Sequence, residues 1–270
     1  MTSRMDRDFP AGWRDIDAAG DSARFADYLD AATAMLRERK RALLEALQLG
    51  AGDSAIDAGC GVGDDVVLLA DRVGSGGHAV GVDLSASLLA EARAWTTQMA
   101  AATFVRADVH SLPFADHCFD GARVERTLQH VADPARAVRE IVRVTRPGRR
   151  VVALEPDWRT LVFSGADIAT SGRLAADVVA HSRHPAAGTQ LPSWFAAAGL
   201  LIQDAGTEVV HTRSFAVAEQ LLTLGAAIER LGDDAVRQWA VAAQAESDAG
   251  TFLAAVTGFW AVGTVQGVAI

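Results

Sequence analysis

A ten-residue stretch, Ala55-Ile56-Asp57-Ala58-Gly59-Cys60-Gly61-Val62-Gly63-Asp64, constrains this chain most: an apolar run, an acid, then alternate glycines leading into helix-like sequence. The pattern predicts a strand, a tight turn and a helix start. Glycine takes positive φ without penalty, and its missing Cβ lets a ligand approach the backbone closely. Three glycines over 59–63 therefore predict a loop shaped around a bound group, read here as a nucleoside. Asp64 stands where G-x-G-x-x-G would need its third glycine, which argues against a pyrophosphate-binding turn and a nicotinamide-linked dehydrogenase.

Further along, His78-Ala79-Val80-Gly81-Val82-Asp83 reads as a second strand ending in an acid able to accept both hydroxyls of a ribose. Thr103-Phe104-Val105-Arg106-Ala107-Asp108 reads as a third. It runs into Val109-His110-Ser111-Leu112-Pro113-Phe114-Ala115-Asp116-His117-Cys118-Phe119-Asp120. With Leu128-Gln129-His130-Val131-Ala132-Asp133-Pro134 and Arg146-Pro147-Gly148-Arg149-Arg150 following in order, the chain resembles class I S-adenosylmethionine-dependent methyltransferases over roughly residues 50–156. The string from Asp108 to Asp120 is similar to that of the small-molecule enzymes of the ubiquinone/menaquinone-biosynthesis type.

The resemblance implies S-adenosylmethionine as cofactor, held by Asp57, Gly59, Gly61, Gly63, Asp83, Leu84, Asp108, Val109 and Arg123. Asp83 would take the ribose and Asp108 the adenine amino group; Asp57 is read more as an organiser of the loop amides. Tyr28 and Arg24 lie before the first strand, where the family draws contacts to the methionine carboxylate. A core tyrosine and a solvated arginine are the competing reading. Arg123 and Arg126 flank the end of the fourth predicted strand, where family members more often carry small or neutral residues, so the acceptor contacts depart from the family pattern.

Strands at 54–58, 78–83, 102–107, 119–124 and 149–155 alternate with helices at 63–73, 85–100 and 134–146. That alternation predicts a parallel sheet covered by helices on both faces, with ligands bound beyond the carboxyl ends of the strands. The expected fold is α/β: a Rossmann-like, seven-stranded, mostly parallel sheet with a helical cap. The resemblance adds that 251–266 forms the antiparallel seventh strand, inserted beside the fifth. Residues 1–22 are expected to be a flexible arm. Residues 23–270 would form one methyltransferase domain, with cap elements at about 23–49, 159–185 and 215–248. Leu221, Leu222, Leu224 and Ile228 would give an apolar lid, or else pack on the sheet or form a homodimer contact.

Half of the 270 residues are apolar and 22% are charged, a globular composition, and the net charge of −9 disfavours nucleic acid as a partner. No apolar run reaches membrane-spanning length and no secretory signal opens the chain, so a cytoplasmic protein is expected. Two cysteines, Cys60 and Cys118, build neither a disulfide framework nor a metal site. His181 and His184 have metal-ligand spacing but no evident third ligand, and are read as surface residues with no metal.

Transfer of a methyl group from a sulfonium is an in-line displacement that chiefly needs alignment and exclusion of water. An acceptor that must lose a proton gains from a general base, and His130 and Glu155 are the candidates. Each has a structural alternative, His130 in the turn before Asp133-Pro134 and Glu155 as a loop anchor. Trp158 is read as a wall of the acceptor pocket, with a place in the core as the competing reading. The expected function is methylation of an O, N or C atom in a small, largely apolar metabolite of secondary or quinone-like metabolism. The alternative is non-methylating chemistry, such as cyclisation or hydroxylation, on the same fold.

Overall fold

The computed structural model describes residue 17, residues 36–165 and residues 167–267. Among the described residues, seven strands form one sheet: β1 (Ser54–Ala58), β2 (His78–Asp83), β3 (Ala102–Arg106), β4 (Phe119–Glu125), β5 (Thr145–Phe163), β6 (Leu200–Thr212) and β7 (Ala254–Val265). Their order is β3-β2-β1-β4-β5-β7-β6. Strands β1 to β5 pair in parallel, and β7 runs antiparallel between β5 and β6. This is the expected Rossmann-like sheet, with the expected reversed strand beside the fifth.

Around it lie α1 (36–46), α2 (Asp64–Val73), α3 (Ala86–Trp95), α4 (Pro134–Val144), α5 (Ile168–His181), α6 (Ala187–Ala197), α7 (Phe215–Leu221), α8 (Leu224–Leu231) and α9 (Asp234–Asp248). Local chemistry sets several starts. The Ser85 hydroxyl accepts the Leu88 N–H at the head of α3, and the Asp133 carboxylate accepts the Arg136 N–H ahead of Pro134. Helix α2 instead starts from the left-handed Gly63, with Asp64 and Asp65 in its first turn complementing the helix dipole.

Apolar side chains pack on both sheet faces. One layer joins Ile141 and Val138 of α4 and Leu191 and Phe195 of α6 to β4 and β5; the other joins Leu43 of α1 and Val66 and Leu69 of α2 to β1. A third cluster, containing Trp158, Leu174, Phe215, Trp239 and Phe252, unites α5, α7 and α9 with the junction of β5 and β7.

Several boundaries differ from expectation. Residues 159–163 extend β5 and pair with β7 through Val162 and Phe163, so the second cap element begins only at α5. Helix α3 stops at Trp95 and not at residue 100. The helix expected over 215–231 is two, because Thr223 adopts a left-handed φ of 55° between them. Leu222 and Leu224 are buried in the third cluster, so that apolar face packs inward. No described helix is long and apolar enough to cross a membrane.

Candidate active site

The glycine turn leaves the carboxyl end of β1 with Gly59, Gly61 and Gly63 all at positive φ, at 83°, 54° and 88°. Its amides are fixed by β2: Gly59 and Cys60 donate to the Val82 carbonyl, and Gly61 donates to Asp83 Oδ2 at 2.9 Å. A Cβ on Gly59 would lie 2.1 Å from Thr127 Oγ1, so the turn and the β4 end meet across a gap only glycine fits. Gly63 has a different task. A Cβ there would meet Phe104 at 2.7 Å, so this glycine lets α2 pack on β3 rather than face a ligand.

A cleft of about 270 Å³ opens beyond the carboxyl ends of β1, β2, β3 and β4. Gly59, Gly61, Asp83, Leu84, Asp108, Val109 and His130 line it, bringing together most of the expected cofactor residues and one expected base. Asp83 accepts the Gly61 N–H on one oxygen and the Ser85 N–H on the other; burial raises its pKa, against those donors. A carboxylate has about four lone-pair sites, so two amides leave capacity for a ligand hydroxyl. Asp108 is more exposed; partial burial pushes its carboxyl up, but the His110 amide and ring together hold it low.

Glu155 lies elsewhere. Fully buried, it accepts the amides of Thr127 and Leu128 on Oε1 at 2.8 and 2.7 Å, and of Gln129 on Oε2 at 3.3 Å. Burial pushes its carboxyl up to about 8. It anchors the turn after β4 from beneath and does not line the cleft, which corrects its reading as a base. That turn starts at Arg126, whose φ of 51° is left-handed for a side-chain-bearing residue.

Arg123 is also corrected. It occupies the interior, 2% exposed, in an ion cluster that motif matching missed. Arg123 Nη2 pairs with Asp65 Oδ2 at 2.9 Å and with Glu125 Oε2. Lys40 Nζ reaches Asp65 Oδ2 at 2.7 Å and Glu125 Oε1 at 3.3 Å, and Arg126 Nε reaches Glu125 Oε1 at 3.3 Å. Burial works against the charge on Glu125, yet the three cations hold its carboxyl down at about 2. Burial and the charge of Asp65 raise Asp57, the in-register neighbour of Arg123, to about 8.

Next to the cluster, a recess of about 30 Å³ behind the glycine turn is lined by Lys40, Asp57, Asp64, Asp65, Glu125 and Arg126, among others. The buried Asp65 Oδ1 has no partner among the described residues. An acidic oxygen in want of a donor, beside cations, suits a zwitterionic amino-acid group. The nucleoside-sized cleft suits the remainder of S-adenosylmethionine, so the residues present fit that cofactor.

Tyr28 and Arg24 lie outside the described residues. Of 1–22 only Asp17 is described. Its carboxylate accepts the hydroxyls of Ser85 and Ser87 and the amides of Ala86 and Ser87 at the start of α3. The Ser87 hydroxyl, with these other donors, holds Asp17 well below the usual carboxylate range. His181 pairs with Asp177 and His184 with the Val131 carbonyl, so the two histidines face different partners.

Residues 56–153 match the family model described as a methyltransferase domain. An uncharacterised 37.1 kDa protein in transposon TN4556 of Streptomyces fradiae is 36% identical over 244 residues, covering 89% of this chain and 70% of that protein. The 2-phytyl-1,4-naphthoquinone methyltransferase of Nostoc punctiforme is 39% identical over 107 residues. That match covers 38% of this chain and 46% of the relative, so the chain spans less than half of that enzyme. Among solved structures, the 4+2-cyclase SpnF is similar with a TM-score of 0.55 at 25% identity, covering 85% of this chain and 81% of that one.

Proposed function

This chain belongs to the class I S-adenosylmethionine-dependent methyltransferases, and from that premise we propose that its acceptor is a small, largely apolar metabolite of quinone-like or other secondary metabolism. The observation that carries the proposal is the joining of two unlike cavities at one residue. Arg126 lines both the nucleoside-sized cleft and an apolar chamber walled by Leu154, Pro156, Trp158, Leu221 and Leu222. When bound, S-adenosylmethionine supplies a methyl group activated by its sulfonium.

The chain's own residues hold and orient. Gly59 and Gly61 give the backbone close approach; Asp83 takes the ribose, while Asp108 and Val109 take the adenine side of the cleft. Lys40, Asp65 and Arg126 receive the amino-acid end in the polar recess. His130, the expected base that does line the cleft, takes a proton from an acceptor that must lose one. The similarity to a naphthoquinone methyltransferase supports a ring-bearing acceptor, and the net charge of −9 supports a small molecule over a nucleic acid.

A second reading, cyclisation by a methyltransferase fold, draws support from the likeness to a cyclase. Turnover of metabolite extracts with methyl-labelled S-adenosylmethionine separates the two. Labelled product formed together with S-adenosylhomocysteine is expected; a substrate consumed without S-adenosylhomocysteine would replace methyl transfer by the second reading.

A further inference from the structure

The acid just beyond β3 owes its geometry to its second neighbour along the chain. Asp108 lines the cleft with a carboxylate whose side chain is 54% exposed. A carboxylate so exposed turns readily about χ2, a broad, two-fold torsion. Here it is held. The His110 amide donates to Asp108 Oδ1 at 2.9 Å, and the His110 ring meets the same oxygen through Nδ1 at 2.6 Å. These two contacts fill both lone-pair sites of Oδ1. Oδ2 accepts no hydrogen bond among the described residues, so it is the oxygen left for a ligand.

The ring itself is oriented from behind. The Asp133 amide donates to His110 Nε2 at 3.1 Å. A backbone N–H can only donate, so Nε2 is the acceptor and the ring proton is assigned to Nδ1, facing Asp108. Arg136 Nε donates to the His110 carbonyl at 3.0 Å, and the Asp133 carboxylate accepts the Arg136 N–H. The head of α4 therefore grips His110 by ring and by backbone, and presents the ring to Asp108 in one tautomer. Both ring nitrogens are spent on these contacts, which leaves neither for the acceptor.

Resting on the cofactor reading above, in which Asp108 takes the adenine amino group, we propose that His110 is the positioning residue for that recognition. It presents Asp108 Oδ2 in a fixed direction and so makes the cleft select a 6-amino purine over a 6-oxo purine. A fixed acceptor pairs with an amino group. Where the base carries a carbonyl oxygen instead, two acceptors face each other, and a carboxylate that cannot turn away leaves both unpaired.

The test uses the purified full chain, titrated by calorimetry with S-adenosylhomocysteine and with its deaminated analogue, S-inosylhomocysteine. Wild type should bind the adenine ligand at least about tenfold more tightly. His110→Phe and His110→Ala both remove the ring nitrogens, and in each the preference should fall below about threefold. His110→Gln offers an NH2 to Asp108 and a carbonyl oxygen to the Asp133 amide, and should keep more of the preference than either. Melting temperature reports whether each variant folds; a merely structural role would weaken both ligands alike and leave their ratio unchanged. Wild type without a preference, or an unchanged ratio in the Phe and Ala variants, would overturn the proposal. A preference that survives Asp108→Ala would remove the adenine role of Asp108 and the proposal with it. Failure of wild type to bind either nucleoside would instead overturn the functional reading on which both rest.

Discussion

Glu155→Gln tests whether the carboxyl beneath the post-β4 turn is neutral in the folded protein. Burial raises it from 4.5 to about 8, so between those values folding takes up a proton that the unfolded chain has released. A raised folded-state pKa gives stability that is complete below about 4.5 and is lost as pH rises toward 8. The loss approaches about 1.4 kcal/mol per pH unit inside that window. The amide variant cannot titrate. Its single oxygen serves Thr127 and Leu128, while its NH2 would face the Gln129 N–H now bonded at 3.3 Å, costing about 1–3 kcal/mol. Urea denaturation of both proteins at pH 5, 6, 7 and 8 cancels every other titration. The variant should be less stable by about 1–3 kcal/mol at pH 5, and the gap should close or reverse by pH 8. A gap that is constant, or that widens with pH, would mean Glu155 is ionised throughout, with its three amides outweighing burial.

Gly59→Ala places a methyl 2.1 Å from Thr127 Oγ1 at a φ of 83°, so S-adenosylhomocysteine affinity should fall by more than about tenfold, and a double variant with Thr127→Gly should recover part of it; calorimetry on both decides. Lys40→Met removes one cation from a buried cluster and leaves Asp65 and Glu125 undercompensated. A loss of about 3–5 kcal/mol is expected in urea denaturation, and a loss below about 1 kcal/mol would show that Arg123 and Arg126 balance both carboxylates alone.

Much of the cofactor half could be read in the chain itself. Ser54–Ala58 and His78–Asp83 are short apolar strands closed by glycine or an acid, and both fall where the pattern puts them. Central parallel strands are buried on both faces and so leave little ambiguity. The ion cluster was not legible as a unit, because Lys40, Asp65 and Glu125 come from α1, α2 and β4 and meet only through tertiary packing. One signal was present: Arg123 and Glu125, two apart in the otherwise uncharged end of β4, share a face, and charges inside a central strand need partners. The expectation of a cofactor contact at Arg123 follows from its place near the end of the strand, and place along a strand does not say which face is wet. The break at Thr223 leaves no mark, since threonine is no preferred left-handed residue.

The place of β7 bears on how the chain is made. Last of the strands in sequence, it lies between β5 and β6, and it pairs with β5 from Arg150 to Phe163 and with β6 from Leu200 to Thr212. On a ribosome, the segment from β1 to β4 emerges with its own parallel partners and can begin to order, while β5 and β6 wait with exposed edges for residues 254–265. A nascent chain stalled before Ala254 would therefore present two long unsatisfied strand edges, a target for chaperones and a route to misassembly between neighbouring chains on one message.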